Sequence, residues 1–205
     1  MIRRVGPLLL LGLLVGCQPP ATPEKIAYNP GEAGTVDHAM CLLGFSALPL
    51  RELATGHHLV DVTMNGEKAT FILDTGANAS VVHAAAARRL KLPEKGTPAG
   101  AFGLGGGMKA QQVRLERLEL GGVAIRLTRI MTSDLSQLVQ VLNTVSRGEI
   151  AGIIGQDVMK EHRAVIDVAK PVLYLVRQDR DPAPVAAETC RAAGEGRKGK
   201  PAKTS

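Results

Sequence analysis

This 205-residue chain predicts a mainly β domain with one or two short helices. Three observations carry that expectation. Short alternating or continuous apolar runs recur between His58 and Val176, separated by turn signals. Asn65-Gly66 joins two of those runs as a hairpin signal, because both central positions of a type I′ turn want positive φ. Phe71-Ile72-Leu73 runs without interruption into Asp74-Thr75-Gly76, the order expected when a carboxylate is held at the end of a buried strand. The length fits one domain rather than two.

Taken in order, Leu59, Val60, Val62 and Met64 mark a first strand from His58 to Met64, and Lys68–Leu73 is its return. Gly76 is expected to allow a turn that a side chain would not tolerate, and the Thr75 hydroxyl can hydrogen-bond while its methyl packs. Ser80 reads as the cap of a helix over Val81–Leu90. Gly100–Gly107 is rich in glycine but fails as a phosphate loop, since Met108 precedes Lys109 and Ala110 stands where a hydroxyl is needed. Met108 also breaks the dinucleotide pattern, so a hairpin tip is the better reading. Val113–Leu120 and Val123–Ile130 read as strands around Gly121-Gly122. Ser133 or Asp134 is expected to cap a helix whose Leu135, Leu138, Val139 and Leu142 form a single apolar stripe, closed near Gly148. Such a stripe is ordinarily core, and no activity is assigned to it. Ile150–Ile154 reads as a buried strand and Gln156–Glu161 as a short helix. Ala164–Val168 and Val172–Val176 read as the last strands, parted by Lys170-Pro171. His57, His58 and His83 have no metal-ligand spacing, and no metal or other cofactor is expected.

The Asp74 stretch, Phe71 to Ala77, resembles the active-site segment of retropepsin-like aspartic peptidases. Three further matches follow in that family's order. Gly103-Leu104-Gly105-Gly106-Gly107 resembles its glycine-rich flap, Val113–Leu120 the strand returning from it, and Ile150 to Asp157 the second-half strand, glycine and helix. The resemblance runs from about Leu59 to Val176. It implies a closed β-barrel of the acid-protease lobe type, with Asp74 catalytic and supported by Thr75 and Gly76. It also implies peptide binding by Ala77, Asn78, Gly103, Leu104, Gly105 and Gly106. Peptide hydrolysis in that family needs two carboxylates sharing one proton. The chain has one Asp-Thr-Gly, so the second acid is expected from another copy, across a two-fold axis beside Asp74. Viral members pair an acid and a base at the positions held here by Asn78 and Gln156, so an amide–amide contact is expected instead. Two other readings remain open: a peptide-binding or envelope-assembly lipoprotein of the same fold with little turnover, and a purely structural lipoprotein.

The ends of the chain belong to a different kind of sequence. Arg3 and Arg4 precede an apolar run too short to span a bilayer, closed by Leu14-Val15-Gly16-Cys17. That closure resembles a bacterial lipobox. Residues 1–16 are therefore expected to be a lipoprotein signal, with Cys17 lipidated and 17–40 a flexible tether. The domain is expected over 41–180 and a basic, disordered tail over 181–205. Gln18 after the cysteine suggests an outer-membrane location facing the periplasm. That compartment permits a disulfide between Cys41 and Cys190, within one chain or across two, with free thiols as the alternative. The charge of +6 at pH 7 resides in the signal and in the last fifteen residues, where five Lys or Arg meet one Glu. The span from Cys17 to Cys190 is neutral. With aromatics at 2 % and no basic stripe on the strands, nucleic acid is not an expected partner. Radiolabelled palmitate is expected to enter the wild-type chain and not Cys17→Ala; equal labelling of the two would contradict the anchor.

Overall fold

The computed structural model describes residues 34–93, 96–103, 106–146, 148–176 and 185–190. The signal, most of the tether, most of the tail expected over 181–205, Leu104 and Gly105 lie outside the described residues; the tail's 185–190 are described and are ordered, since Cys190 is held by a disulfide. Helix α1 (Val36–Leu42) precedes β1 (Phe45–Pro49) and the two-residue β2 (Arg51–Glu52). Strands β3 (His58–Met64) and β4 (Glu67–Leu73) lead to Asp74, and β5 (Val81–His83) and α2 (Ala84–Arg89) follow it. Next come β6 (Thr97–Gly103), β7 (Gly106–Arg114), β8 (Leu118–Leu120), β9 (Val123–Ala124) and β10 (Arg129–Ser133). The described chain ends with α3 (Ser136–Ser146), β11 (Ile150–Ile154), α4 (Gln156–Glu161), β12 (Val165–Asp167), β13 (Val172–Val176) and a 3-10 turn at Ala187–Cys190.

The main sheet runs β6-β7-β10-β5-β11-β4-β3-β8-β9, with β2 beside β3. Its order is not the chain order, because β11 enters between the strands that flank Asp74. It lies parallel to β4 and antiparallel to β5, while β10 lies parallel to β5. The close approach explains Gly152: a Cβ there would stand 2.2 Å from the Val81 carbonyl oxygen and 2.6 Å from the Phe71 ring. The expected closed barrel is not formed. The path ends on β6 and on β9, and a two-residue strand offers too few backbone groups to complete a ring. A separate sheet, β1-β13-β12, gathers both ends of the domain, with every residue of β13 buried.

Apolar residues fill both faces of the central strands, as an unbroken apolar run requires. Phe71 and Leu73 enter the larger core cluster, and Ile72 between them enters a smaller one on the opposite face. Ala151 and Ile154 divide from Ile150 and Ile153 in the same way along β11. The β3–β4 turn is as expected, with Asn65 at φ 50° and Gly66 at φ 89°. The Asn65 side-chain oxygen also accepts the N–H groups of Glu116 and Arg117, at 3.1 and 3.2 Å, which ties the turn to the approach to β8.

Four local expectations are corrected. Val81 and Val82 do not begin a helix: they extend between β10 and β11, and helix starts only at the alanine run from Ala84. β-branched residues between two partner strands gain more from the ladder than from a helical turn. Ser80 accordingly caps nothing. The long strands expected after Val113 and Val123 are each broken, leaving Leu115 and Ile125 as buried residues in connecting turns. Leu135 just before α3 and Val139 and Leu142 within it are buried, but Leu138 is 36 % exposed and Gly148 is not left-handed. The α3 segment begins as read, with Asp134 accepting the Ser136 N–H at 2.9 Å and the Ser136 hydroxyl. These two donors hold the Asp134 carboxyl below its usual range. Its stabilising effect is therefore complete above the ordinary carboxylate range and is lost as pH falls through the lowered value.

The tether expectation is also too long at its C-terminal end, since α1 occupies residues within it. Thr35 caps α1 by accepting the His38 N–H at 3.2 Å. Asp37, 5 % exposed, accepts the Tyr174 hydroxyl and lies 4.0 Å from Lys170, so the helix is fixed to β13. Cys41 and Cys190 form a disulfide within the chain, with Cα atoms 5.7 Å apart. It fastens the 3-10 turn to α1, closing a loop of sequence separation 149. Replacing both cysteines with serine is expected to cost about 2–5 kcal/mol in urea unfolding. An unchanged midpoint would show that the bridge constrains nothing.

Candidate active site

Asp74 stands one residue past the end of β4, half-buried, where the strand hands over to a tight loop. Its N–H donates to the Ile154 carbonyl at 3.0 Å, so the last ladder bond of the β4–β11 pair sets the position of its backbone. Its Oδ1 accepts the Gly76 N–H at 2.8 Å, and its carbonyl accepts the Ala77 N–H at 3.2 Å. The need for glycine at position 76 differs from the one expected. Gly76 is not left-handed; a Cβ there would come within 3.1 Å of the Asp74 Oδ1 and crowd the carboxylate.

The second-half segment holds the other side of this loop. The Gln156 N–H donates to the Ala77 carbonyl at 2.8 Å, and the Gln156 amide nitrogen donates to the Thr75 carbonyl at 2.6 Å. The expected Asn78–Gln156 amide contact is thus replaced by a side-chain bond to the Thr75 carbonyl, three residues closer to Asp74. Gly155 allows the approach, since a Cβ there would lie 2.7 Å from the Ala79 carbonyl group. Ala77 is half-buried, while Thr75, Gly76 and Asn78 are exposed.

Sequence reasoning missed the strongest tie. Ser80 is fully buried, and its hydroxyl donates to Asp157 Oδ1 at 2.6 Å while accepting the Gly155 N–H at 2.9 Å. Its own N–H donates to Asp157 Oδ2 at 2.8 Å, and Asp157 Oδ1 also accepts the Val158 N–H at 2.8 Å. Asp157 thus clamps the end of the Asp74 loop to the start of α4, a tie between distant residues that no local signal marks.

The glycine-rich hairpin is formed, with Gly103 opposite Gly106; Leu104 and Gly105 lie outside the described residues. A cavity of about 700 Å³ lies between α2, β7 and β10, lined by Arg88, Lys109 and Thr132 among others, and it includes no residue of the Asp74 loop. His83 accepts the Leu135 N–H through Nδ1 at 3.1 Å, and among the described residues no three His, Cys, Asp or Glu side chains gather as metal ligands would.

Similarity to known proteins follows the same span. Residues 60–158 match the family described as aspartyl protease. The match holds both the Asp74 loop and the second-half strand that grips it, and confirms the resemblance to retropepsin-like aspartic peptidases. No curated protein sequence matches the chain. Several solved structures are also similar to the chain. EIAV protease in complex with an inhibitor has 24 % identity and a TM-score of 0.39, covering 55 % of this chain and 86 % of its own. A retropepsin-like aspartic protease from Rickettsia conorii has 16 % identity and a TM-score of 0.43, covering 64 % of this chain and 89 % of its own. At these scores neither superposition bears on the site.

The clamp makes a prediction. Ser80→Ala removes the hydroxyl from a buried position and strips one donor from Asp157, an expected loss of about 2–3 kcal/mol in urea unfolding. A loss below about 0.5 kcal/mol, the size of an ordinary surface change, would mean that the loop is held by the backbone alone.

Proposed function

We propose that this chain is a lipid-anchored aspartic endopeptidase that works as a homodimer, with Asp74 of each subunit forming one proton-sharing pair. The observation that carries the reading is the single Asp74 loop: a carboxylate at a strand end, bonded to Gly76, with Thr75 and Gly76 exposed beside it. The aspartyl protease match over residues 60–158 supports peptide hydrolysis as the reaction. Asp157, the acid of the neighbouring segment, is already committed to Ser80 and Val158. A second copy of Asp74 is therefore the natural source of the second acid. The exposed Thr75-Gly76 edge leaves room for one.

In such a pair one carboxylate is ionised and the other protonated, because two in contact do not readily both ionise. The ionised member draws a proton from a water held between them, and that water attacks the peptide carbonyl. The protonated member donates to the carbonyl oxygen, which stabilises the tetrahedral intermediate. The Gln156 and Ser80 ties keep each Asp74 loop in one geometry, which limits the reorganisation needed at the moment of reaction. Ala77 and Asn78 on the loop, with Gly103, Leu104, Gly105 and Gly106 on the hairpin, are assigned to an extended peptide substrate. The lipidated Cys17 would hold the domain at the outer membrane, facing the periplasm.

Asp74→Asn is expected to abolish peptide cleavage while the domain remains folded. Activity of the wild type should be bell-shaped in pH and lie on the acid side, since the working pair carries one proton. Equal mixing of wild-type and Asp74→Asn subunits should leave roughly a quarter of the pairs with two acids, by random association of a symmetric dimer. Activity that falls only in proportion to the wild-type fraction would contradict the shared pair.

A further inference from the structure

Helix α3 covers the sheet face on which Asp74 lies. Alternation along β4 sends Phe71 and Leu73 into the main core and Ile72 to the opposite side, so the next residue of the Ile72 set is Asp74. That face is built from Ile72, Val81 and Ile153, which come from the adjacent strands β4, β5 and β11. Ala77 of the Asp74 loop packs against the same cluster. A peptide lying across Asp74 would place its side chains here. In this arrangement it finds no opening: Leu135, Val139 and Leu142 complete the cluster, leaving Ile72 3 % exposed and Val81 and Ile153 each 9 % exposed.

The attachment of α3 suits a part that can lift. Its polar ties sit at the two ends. At the start, the Leu135 N–H donates to His83 at 3.1 Å. At the finish, Arg51 donates to the Ser146 carbonyl at 3.0 Å, and the Ile150 N–H donates to the Asn143 side chain at 2.9 Å. Between them, contact with the sheet is apolar. The outer side carries a second apolar stripe, Leu138, Val141 and Val145, with Val141 65 % and Val145 39 % exposed, set among the exposed Gln137, Gln140, Asn143 and Thr144. That second stripe weakens the preference for a single seat that amphipathicity gives.

We propose that α3 is a self-occupying cover, in which Val139 and Leu142 fill the apolar seat beside Asp74 until a substrate replaces them. The inference rests on the peptidase reading and adds one thing to it: inhibition of the resting chain by its own helix. A ligand that gains the seat only when α3 leaves it shifts the population toward the lifted state.

Hydrogen exchange on the full chain tests this, with and without a statine-containing peptide that carries leucine side chains. Binding is expected to speed exchange of the α3 amides by about tenfold or more, as local opening does, while β4 and β11 remain protected. Val139→Ala should raise kcat/KM on apolar peptides several-fold through a lower KM, even as it lowers the unfolding midpoint. Statine binding with α3 exchange unchanged or slowed would overturn the cover and leave the peptidase reading standing. Activity of Val139→Ala that falls in step with its stability would do the same. Absence of both statine binding and cleavage would overturn the peptidase reading and this inference with it.

Discussion

The structure depends on one close approach, the passage of β11 between β4 and β5. Gly152 is the residue that permits it, because the Val81 carbonyl and the Phe71 ring occupy the space that any side chain would need. Once β11 is seated there, its end comes to the Asp74 loop without further design. The Ile154 carbonyl takes the Asp74 N–H, Gln156 takes Thr75 and Ala77, and Asp157 takes Ser80. Each of these bonds joins residues more than seventy positions apart. Folding thus delivers the loop and its brace together, and loosening β11 would disturb every one of them.

Two consequences follow for the chemistry. The loop after Asp74 carries no charge of its own to be compensated, since positions 75 to 79 are Thr, Gly, Ala, Asn and Ala. Its order comes from backbone groups and from one half-buried carboxylate on the neighbouring helix. The Asp157 carboxylate accepts three hydrogen bonds, an arrangement that satisfies a partly buried acid without an ion pair. Asp74 makes a single bond of this type, to Gly76, and its remaining oxygen is available to a partner, a water or a substrate. One acid is committed to structure and the other is left open. That division is the physical basis for assigning chemistry to Asp74.

Much of this was legible in the sequence, and the remainder was hidden for definable reasons. The β3–β4 hairpin was readable because Asn65-Gly66 is a local signal with a local cause. The buried strand β11 was readable because an apolar run without alternation must be covered on both faces. The disulfide partners were readable by count once Cys17 was set aside, though not whether they joined within one chain. Val81 and Val82 were misread because helix propensity downstream masked two ladder partners supplied from far along the chain. The Ser80–Asp157 clamp was unreadable because nothing local distinguishes a serine that caps a helix from one that is buried against a distant acid. The α3 stripe was read correctly as apolar, but its position over the Asp74 face depends on the sheet order, which no local pattern encodes. Barrel closure was carried over from the family resemblance, and the short β9 does not complete it.

The central claim is that one chain supplies half a site. The most direct measurement is the stoichiometry of a statine-type transition-state mimic bound to the purified full chain, read by titration calorimetry alongside native mass. Such a mimic engages both acids of a pair at once. A proton-sharing pair built from two copies of Asp74 predicts one mimic for every two chains, bound to a dimer, with binding lost in Asp74→Asn. One mimic per chain, bound to a monomer, would contradict it.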